Sequence, residues 1–281
     1  MISAIGRPLD RKYATNRAVL RLLPVAGLLA GAVAALSGEA GLQILGSGVA
    51  GSLCAFGGWA LARELAPDDN AAAFVSMALG FVTHIVVGFL SLLLLITTIL
   101  LVRIVNRTVG PRARLLDSVV VSGLTITLVY VAKMPLVGIS AALSFALDAV
   151  LHNPLRRQWL FAGLCLAAVG VWFALNGAAS PEWPVITRGI IVLLAAVTVL
   201  FAAVIVMTRK LNSKADVTGV CLSVSRVRAG MLIALLVALQ SILLGQPGLF
   251  LAAPIWASLA GVAVTAFIMS IRWCRYVGLQ V

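Results

Sequence analysis

Charge is scarce in this chain of 281 residues: Asp, Glu, Lys and Arg together make up 11%, against roughly 25% in a soluble domain. With 62% of residues hydrophobic and a mean hydropathy of +1.11, too much apolar surface is present for a water-soluble core to hide. Cysteine is sparse and scattered. Cys54, Cys165, Cys221 and Cys274 form no CxxC pair and have no ligand spacing, which excludes a redox motif or a zinc site and leaves buried apolar thiols as the expectation. The alternation of apolar and polar residues that a transmembrane barrel needs is absent. There is no paired Asp-rich motif, no GxSxG, no HExxH and no P-loop, so no familiar enzyme site is present. With 2 histidines, His84 and His152, the second at a boundary between apolar runs, the sequence argues against bis-histidine heme as well. No cofactor and no metal are expected.

What the chain has is long greasy runs, at residues 22–36, 42–61, 71–102, 115–132, 134–151, 159–175, 185–207, 229–244 and 249–271. A helix needs roughly 20 apolar residues to cross about 30 Å of hydrocarbon, and helices satisfy every backbone amide within one segment. The expected fold is therefore all-α, a polytopic transmembrane bundle of about 8–10 helices. Residues 1–21 read as a basic cytoplasmic or juxtamembrane tail. Residues 22–281 read as one transmembrane domain, with possible halves at 22–178 and 179–281. The tail followed by 22–36 has the outline of a secretory signal, and the preferred reading is an uncleaved first helix.

The net charge of +12 does not point to nucleic acid, because the basic residues lie between the apolar runs. All but Arg63, Lys133 and Arg188 gather before residue 22, at 103–114, at Arg156 and Arg157, at 209–228, and at Arg272 and Arg275. Counted back from the C-terminus, the last four clusters share one face, which the positive-inside rule makes cytoplasmic, C-terminus included. A cell (inner) membrane location follows as the expectation. The first third resists this count. The run 71–102 would span roughly 48 Å as a single helix, too long for an untilted pass. Either 22–36 does not cross, or 71–102 folds back near Thr83 and His84, or the tail breaks the rule. Glycines also crowd this region, with a GxxxG at Gly27 and Gly31 followed by Gly46, Gly48, Gly51, Gly57 and Gly58. They predict tight helix packing or a homo- or hetero-oligomer contact.

In the middle of the chain, several stretches resemble the drug/metabolite transporter superfamily. They are Ala62-Arg-Glu-Leu65 with Pro67, Tyr130-Val-Ala-Lys133 followed by Ala141-Ala-Leu-Ser144, Leu155-Arg-Arg-Gln-Trp159 leading to Gly163 and Gly170, and Met207-Thr-Arg-Lys-Leu211. The resemblance is loose and covers residues 62–277. It implies a two-repeat bundle of ten helices, arginine-rich gaps on the cytoplasmic side, and a minimal third-to-fourth helix loop at Lys133-Met134-Pro135. The chain departs from that pattern at His152-Asn153-Pro154, where a Gly-Glu pair is usual, and in its extra early helix.

Ionisable groups at membrane depth are costly, so each is a candidate site. Lys133 and Tyr130 flank a break beside Pro135, and broken helices commonly line solute cavities; a lysine snorkelling to the interface is the plainer alternative. His84 is a candidate for proton or substrate binding, or else a neutral core histidine bonded to a carbonyl. Glu64, Asp68 and Asp69 form an acidic patch able to attract a cation, or a solvated helix cap. Asp117 fits a helix N-terminus, Asp148 is placed to pair with Arg156 or Arg157, and Arg226 and Arg228 are expected on anionic headgroups. The leading functional expectation is a small-solute permease with membrane lipids and a small molecule as partners. The alternatives are an enzyme acting on lipid-linked substrates and a non-catalytic subunit.

Overall fold

The computed structural model describes residues 3–6, 9–88, 92–177 and 186–278, with side chains to residue 269. Among the described residues there are ten helices: α1 (Ala14–Leu36), α2 (Leu42–Leu65), α3 (Asn70–Val87), α4 (Leu92–Asn106), α5 (Leu115–Tyr130), α6 (Pro135–Val150), α7 (Gln158–Asn176), α8 (Arg188–Met207), α9 (Val224–Ile242) and α10 (Gly245–Gly278). The only β pairing among them is a single bridge between Lys214 and Cys221. Seven helices are long and apolar enough to cross a membrane, while α4, α5 and α6 are shorter and equally greasy. The protein is an all-α, multi-pass membrane protein. Its outward residues agree, since Leu28, Leu36, Val86, Leu160 and Val192 are all more than two-thirds exposed, which suits acyl chains and not water. Helix α8 is the extreme case, burying only Leu194, Val197 and Phe201.

The long run 71–102 is two helices. It breaks at Gly88, which ends α3 in the left-handed conformation at φ 69°, with its N–H on the carbonyl of His84 at 2.8 Å. Glycine takes this conformation without the steric cost a Cβ imposes. The break thus falls four residues beyond the Thr83-His84 position that the run's length suggested. Helix α1 begins at Ala14, inside what reads as a tail, because Ala14 to Arg21 continues the helical register below the apolar stretch.

The chain forms two compact units that interleave in sequence. One comprises Met1–Pro8, Ser91–Ile186 and Thr208–Ala252, the other Leu9–Leu90, Thr187–Met207 and Ala253–Val281. In the second unit α1, α2 and α3 run antiparallel in turn, in contact through small residues. A Cβ on Gly48 would lie 2.9 Å from the Gly27 carbonyl oxygen, and one on Gly80 would lie 2.8 Å from that of Cys54. Ser52 Oγ donates to the Leu23 carbonyl at 2.9 Å, and Ser76 Oγ on α3 donates to Ser258 on α10 at 3.1 Å. Backbones approach this closely only where side chains are nearly absent. Gly27, Gly48, Gly51 and Gly58 thus lie at close approaches within the unit, while a Cβ on Gly46 would meet nothing within 4 Å.

The loop from Ala66 to Asp69 turns α2 into α3 at the same end of this unit as the basic start of α1. Asp69 caps α3, its Oδ1 accepting from Ala71 N at 2.8 Å and Ala72 N at 3.1 Å. Asp69→Ala is expected to cost about 1 kcal/mol, measurable as a lowered midpoint in a denaturation titration of the detergent-solubilised protein.

The first unit packs α4, α5, α6, α7 and α9. Pro135 opens α6 at its first turn, where its missing N–H costs nothing. Ser144 Oγ donates to the Leu101 carbonyl at 2.8 Å, and Phe145 meets Phe161 with ring centroids 5.6 Å apart. The loops following α4 and α8 are tied together, Asp216 N donating to Thr108 O at 3.1 Å and Val217 N to Val109 O at 3.0 Å.

Candidate functional site

The first unit closes one end on a buried ionic centre. Asp148, near the end of α6, is fully buried and receives Arg107 Nη2 at 2.7 Å and Arg226 Nη1 at 2.8 Å. Arg107 Nε donates to the same carboxylate at 2.9 Å, and Gln158 Nε2 at 3.2 Å. Two guanidinium groups on one carboxylate leave a net positive charge, and helix-end carbonyls absorb it. Arg226 donates to Val105 O at 2.8 Å, Leu151 O at 3.3 Å and His152 O at 2.6 Å, and Arg107 donates to Asn153 O at 2.8 Å. Val105 lies in the last turn of α4 and Leu151 caps α6, where the helix dipole favours cations, and His152 and Asn153 follow in the loop just beyond α6. Gln158 in turn accepts from Ser118 Oγ at 3.0 Å, so the ends of α4 and α6 and the starts of α5, α7 and α9 meet here.

Burial pushes the Arg107 guanidinium down from its ordinary range, and Asp148 beside it pulls it back up. A guanidinium in such a pair stays charged. Every acceptor is occupied by a donor of the chain itself, so the centre clamps helix ends. Sequence spacing paired Asp148 with Arg156 or Arg157; its partners are instead 41 and 78 residues away. Arg226, expected on lipid headgroups, is only 4% exposed. Arg157 instead donates to the carbonyl of Ala113. Asp117 does sit at its helix N-terminus, accepting from Arg114 N at 2.8 Å, and it also takes Ser3 Oγ at 2.6 Å and Ala4 N at 3.0 Å. That docking of the extreme N-terminus has no sequence signature.

Of the candidate residues in this unit, Tyr130 donates its hydroxyl to Ala168 O at 3.0 Å, joining α5 to α7. Lys133 is exposed in the turn between α5 and α6, with φ 54°. Cys165 is buried as expected, but Cys221 lies exposed in the loop before α9, because its segment is a surface loop and not a helix. Cys274 lies outside the residues whose side chains are described.

The second unit holds His84, Glu64, Asp68 and Asp69. Glu64 is fully buried within α2, Asp68 is exposed, and Asp69 is the cap of α3. Among the described residues no three His, Cys, Asp or Glu side chains gather as a metal ion would require. His84 is different. It faces α2 from α3, is 5% exposed, and its Nε2 lies 3.1 Å from Ser47 O and 3.3 Å from Ser47 Oγ. The carbonyl bond is the core-histidine arrangement, yet Nδ1 is buried with no hydrogen-bond partner.

Beside His84 lies a cleft of about 340 Å³, lined by Ser37, Glu39, Gln43, Ser47 and His84 among apolar Val33, Ala34, Ala50 and Ile85. Convergent polar groups in an otherwise apolar recess are the usual form of a small-molecule site. The turn between α1 and α2 and the end of α3 at Gly88 place it at the end of the unit opposite the basic start of α1. His84 was legible as the lone ionisable group in the longest apolar run; Glu39, Gln43 and Ser47 carried no signal, since only the α1–α2–α3 packing brings them beside it. No protein-family model matches the chain, no curated protein matches its sequence, and no solved structure matches it.

Proposed function

We propose that the chain is a small-solute permease of a cell (inner) membrane, working by alternating access. The observation that carries this reading is the His84 cleft, a polar recess set into membrane-crossing helices, where ionisable groups are retained mainly for ligands, ions or protons. The resemblance to the drug/metabolite transporter superfamily and the ten helices agree with it. In the first unit the basic stretches 103–114, 156–157 and 209–228 all lie at the Asp148 end, and the positive-inside rule makes that end cytoplasmic. Arg272 and Arg275 assign the C-terminus to the same side, and Arg11, Lys12, Arg17 and Arg21 assign it the start of α1. The cleft then opens outward, where a solute arrives.

Purified protein in proteoliposomes, offered a panel of small amines, amino acids, sugars and nucleosides, is expected to accumulate at least one of them saturably. His84→Phe should reduce that uptake by about tenfold or more. Uptake of every compound equal to that of protein-free vesicles would refute the permease reading.

A further inference from the structure

The exposed cations of the first unit are not spread evenly. Arg114 and Arg157 hold the positions just before α5 and α7, and the two helices start side by side, since Ser118 Oγ donates to Gln158 Oε1 at 3.0 Å. Arg157 donates to the carbonyl of Ala113, the residue between Arg112 and Arg114, and Arg156 comes just before it in the chain. Arg112, Arg114, Arg156 and Arg157 thus gather over two helix starts, and all are exposed. The dipoles of α5 and α7 add positive potential at the same place.

The carboxylates at this end are committed elsewhere. Asp117 is buried and accepts from Ser3, Ala4 and the Arg114 N–H, Asp148 is buried between Arg107 and Arg226, and Asp216 lies in the loop after α8. Among the described residues no ion pair reaches the four exposed arginines, and Arg112 adds to the positive charge that bears on Arg107. Directly below them, in the first turns of α5 and α7, Leu115, Leu116, Trp159 and Leu160 are each more than half exposed. Cations therefore sit at the edge of an outward apolar face with a tryptophan between, the polarity profile of a membrane interface. Guanidinium groups take phosphate in bidentate geometry, and the apolar face suits acyl chains.

We propose that the starts of α5 and α7 form a binding site for an anionic phospholipid, its phosphate held by Arg112, Arg114, Arg156 and Arg157 and its acyl chains against Leu116 and Leu160. Both parts of the lipid are needed. A zwitterionic phospholipid brings a second cation into a field that is already positive, and a soluble phosphate ester lacks the chains. Arg209, Lys210 and Lys214 carry the same sign of charge, but they lie in the loop between α8 and α9 and not at a helix start.

The test is native mass spectrometry of the purified full-length protein, carried in neutral detergent and titrated with dioleoyl phosphatidylglycerol, dioleoyl phosphatidylcholine or sn-glycerol 1-phosphate. Phosphatidylglycerol is expected to bind saturably and at least about tenfold more tightly than either of the others. Arg112→Gln combined with Arg156→Gln should weaken phosphatidylglycerol by about tenfold or more. Lys210→Gln combined with Lys214→Gln removes the same charge from the other loop and should change it by less than about twofold. All of these side chains are exposed, so both double variants should fold, and the wild-type ranking needs no variant at all. Equal binding of the two lipids, no loss in the arginine pair or an equal loss in both double variants would each overturn the proposal. So would glycerol phosphate binding as tightly as the lipid, since the site would then serve a soluble anion.

Discussion

Asp148→Asn should destabilise the protein by about 3–5 kcal/mol, the cost of leaving buried charges uncompensated when one partner of an ion pair is removed. The asparagine keeps the shape and one acceptor oxygen but no charge, so Arg107 and Arg226 would repel each other across a site with little water. Helix-end carbonyls would still solvate them in part, but those carbonyls are already in use. Denaturant titration followed by circular dichroism would measure the loss. Replacing all three residues by hydrophobes of similar volume, as Asp148→Leu with Arg107→Met and Arg226→Met, should recover much of it, because desolvation of the ions disappears together with their attraction. A single-variant loss under about 1 kcal/mol would mean that water reaches the centre and that it does not clamp the helix ends.

The second large effect is expected in the other unit, at Gly58. A Cβ there would meet the Ser76 carbonyl oxygen, with the Gly80 Cα 3.6 Å away, so Gly58→Leu must push α3 off α2. Overpacking of this kind costs about 1–3 kcal/mol and occasionally more; the upper part of that range is expected because the obstacle is backbone on a facing helix. Gly46→Ala on the same helix makes the comparison, since a Cβ there meets nothing within 4 Å and the change should stabilise by about 0.5–1 kcal/mol. Equal stabilities for the two variants in the same titration would show that the α2–α3 approach is looser than these distances.

Periodicity and composition made the membrane helices legible because lipid imposes one requirement on each segment separately: enough apolar residues to cross, with every amide bonded inside. That local condition can be read without knowing any neighbour. The division of 71–102 was harder, since Gly88 looks like any other small residue in an apolar run until its left-handed φ is seen. His84 stood out as an ionisable group at depth, and its bond to a backbone carbonyl was foreseeable from the residue type. Its empty Nδ1 was not, because that depends on what α2 places opposite.

By itself, then, the sequence determined the solvent, the helical class, the number of helices to within one, and the strongly basic gaps between them, all of which follow from free energies of single segments in lipid. Only the tertiary structure decided the partners. Asp148 finds its arginines across 41 and 78 residues, and His84 finds Ser47 across 37, with Glu39 on the same cleft. Pairing energies act through space, and no spacing rule along the chain carries them.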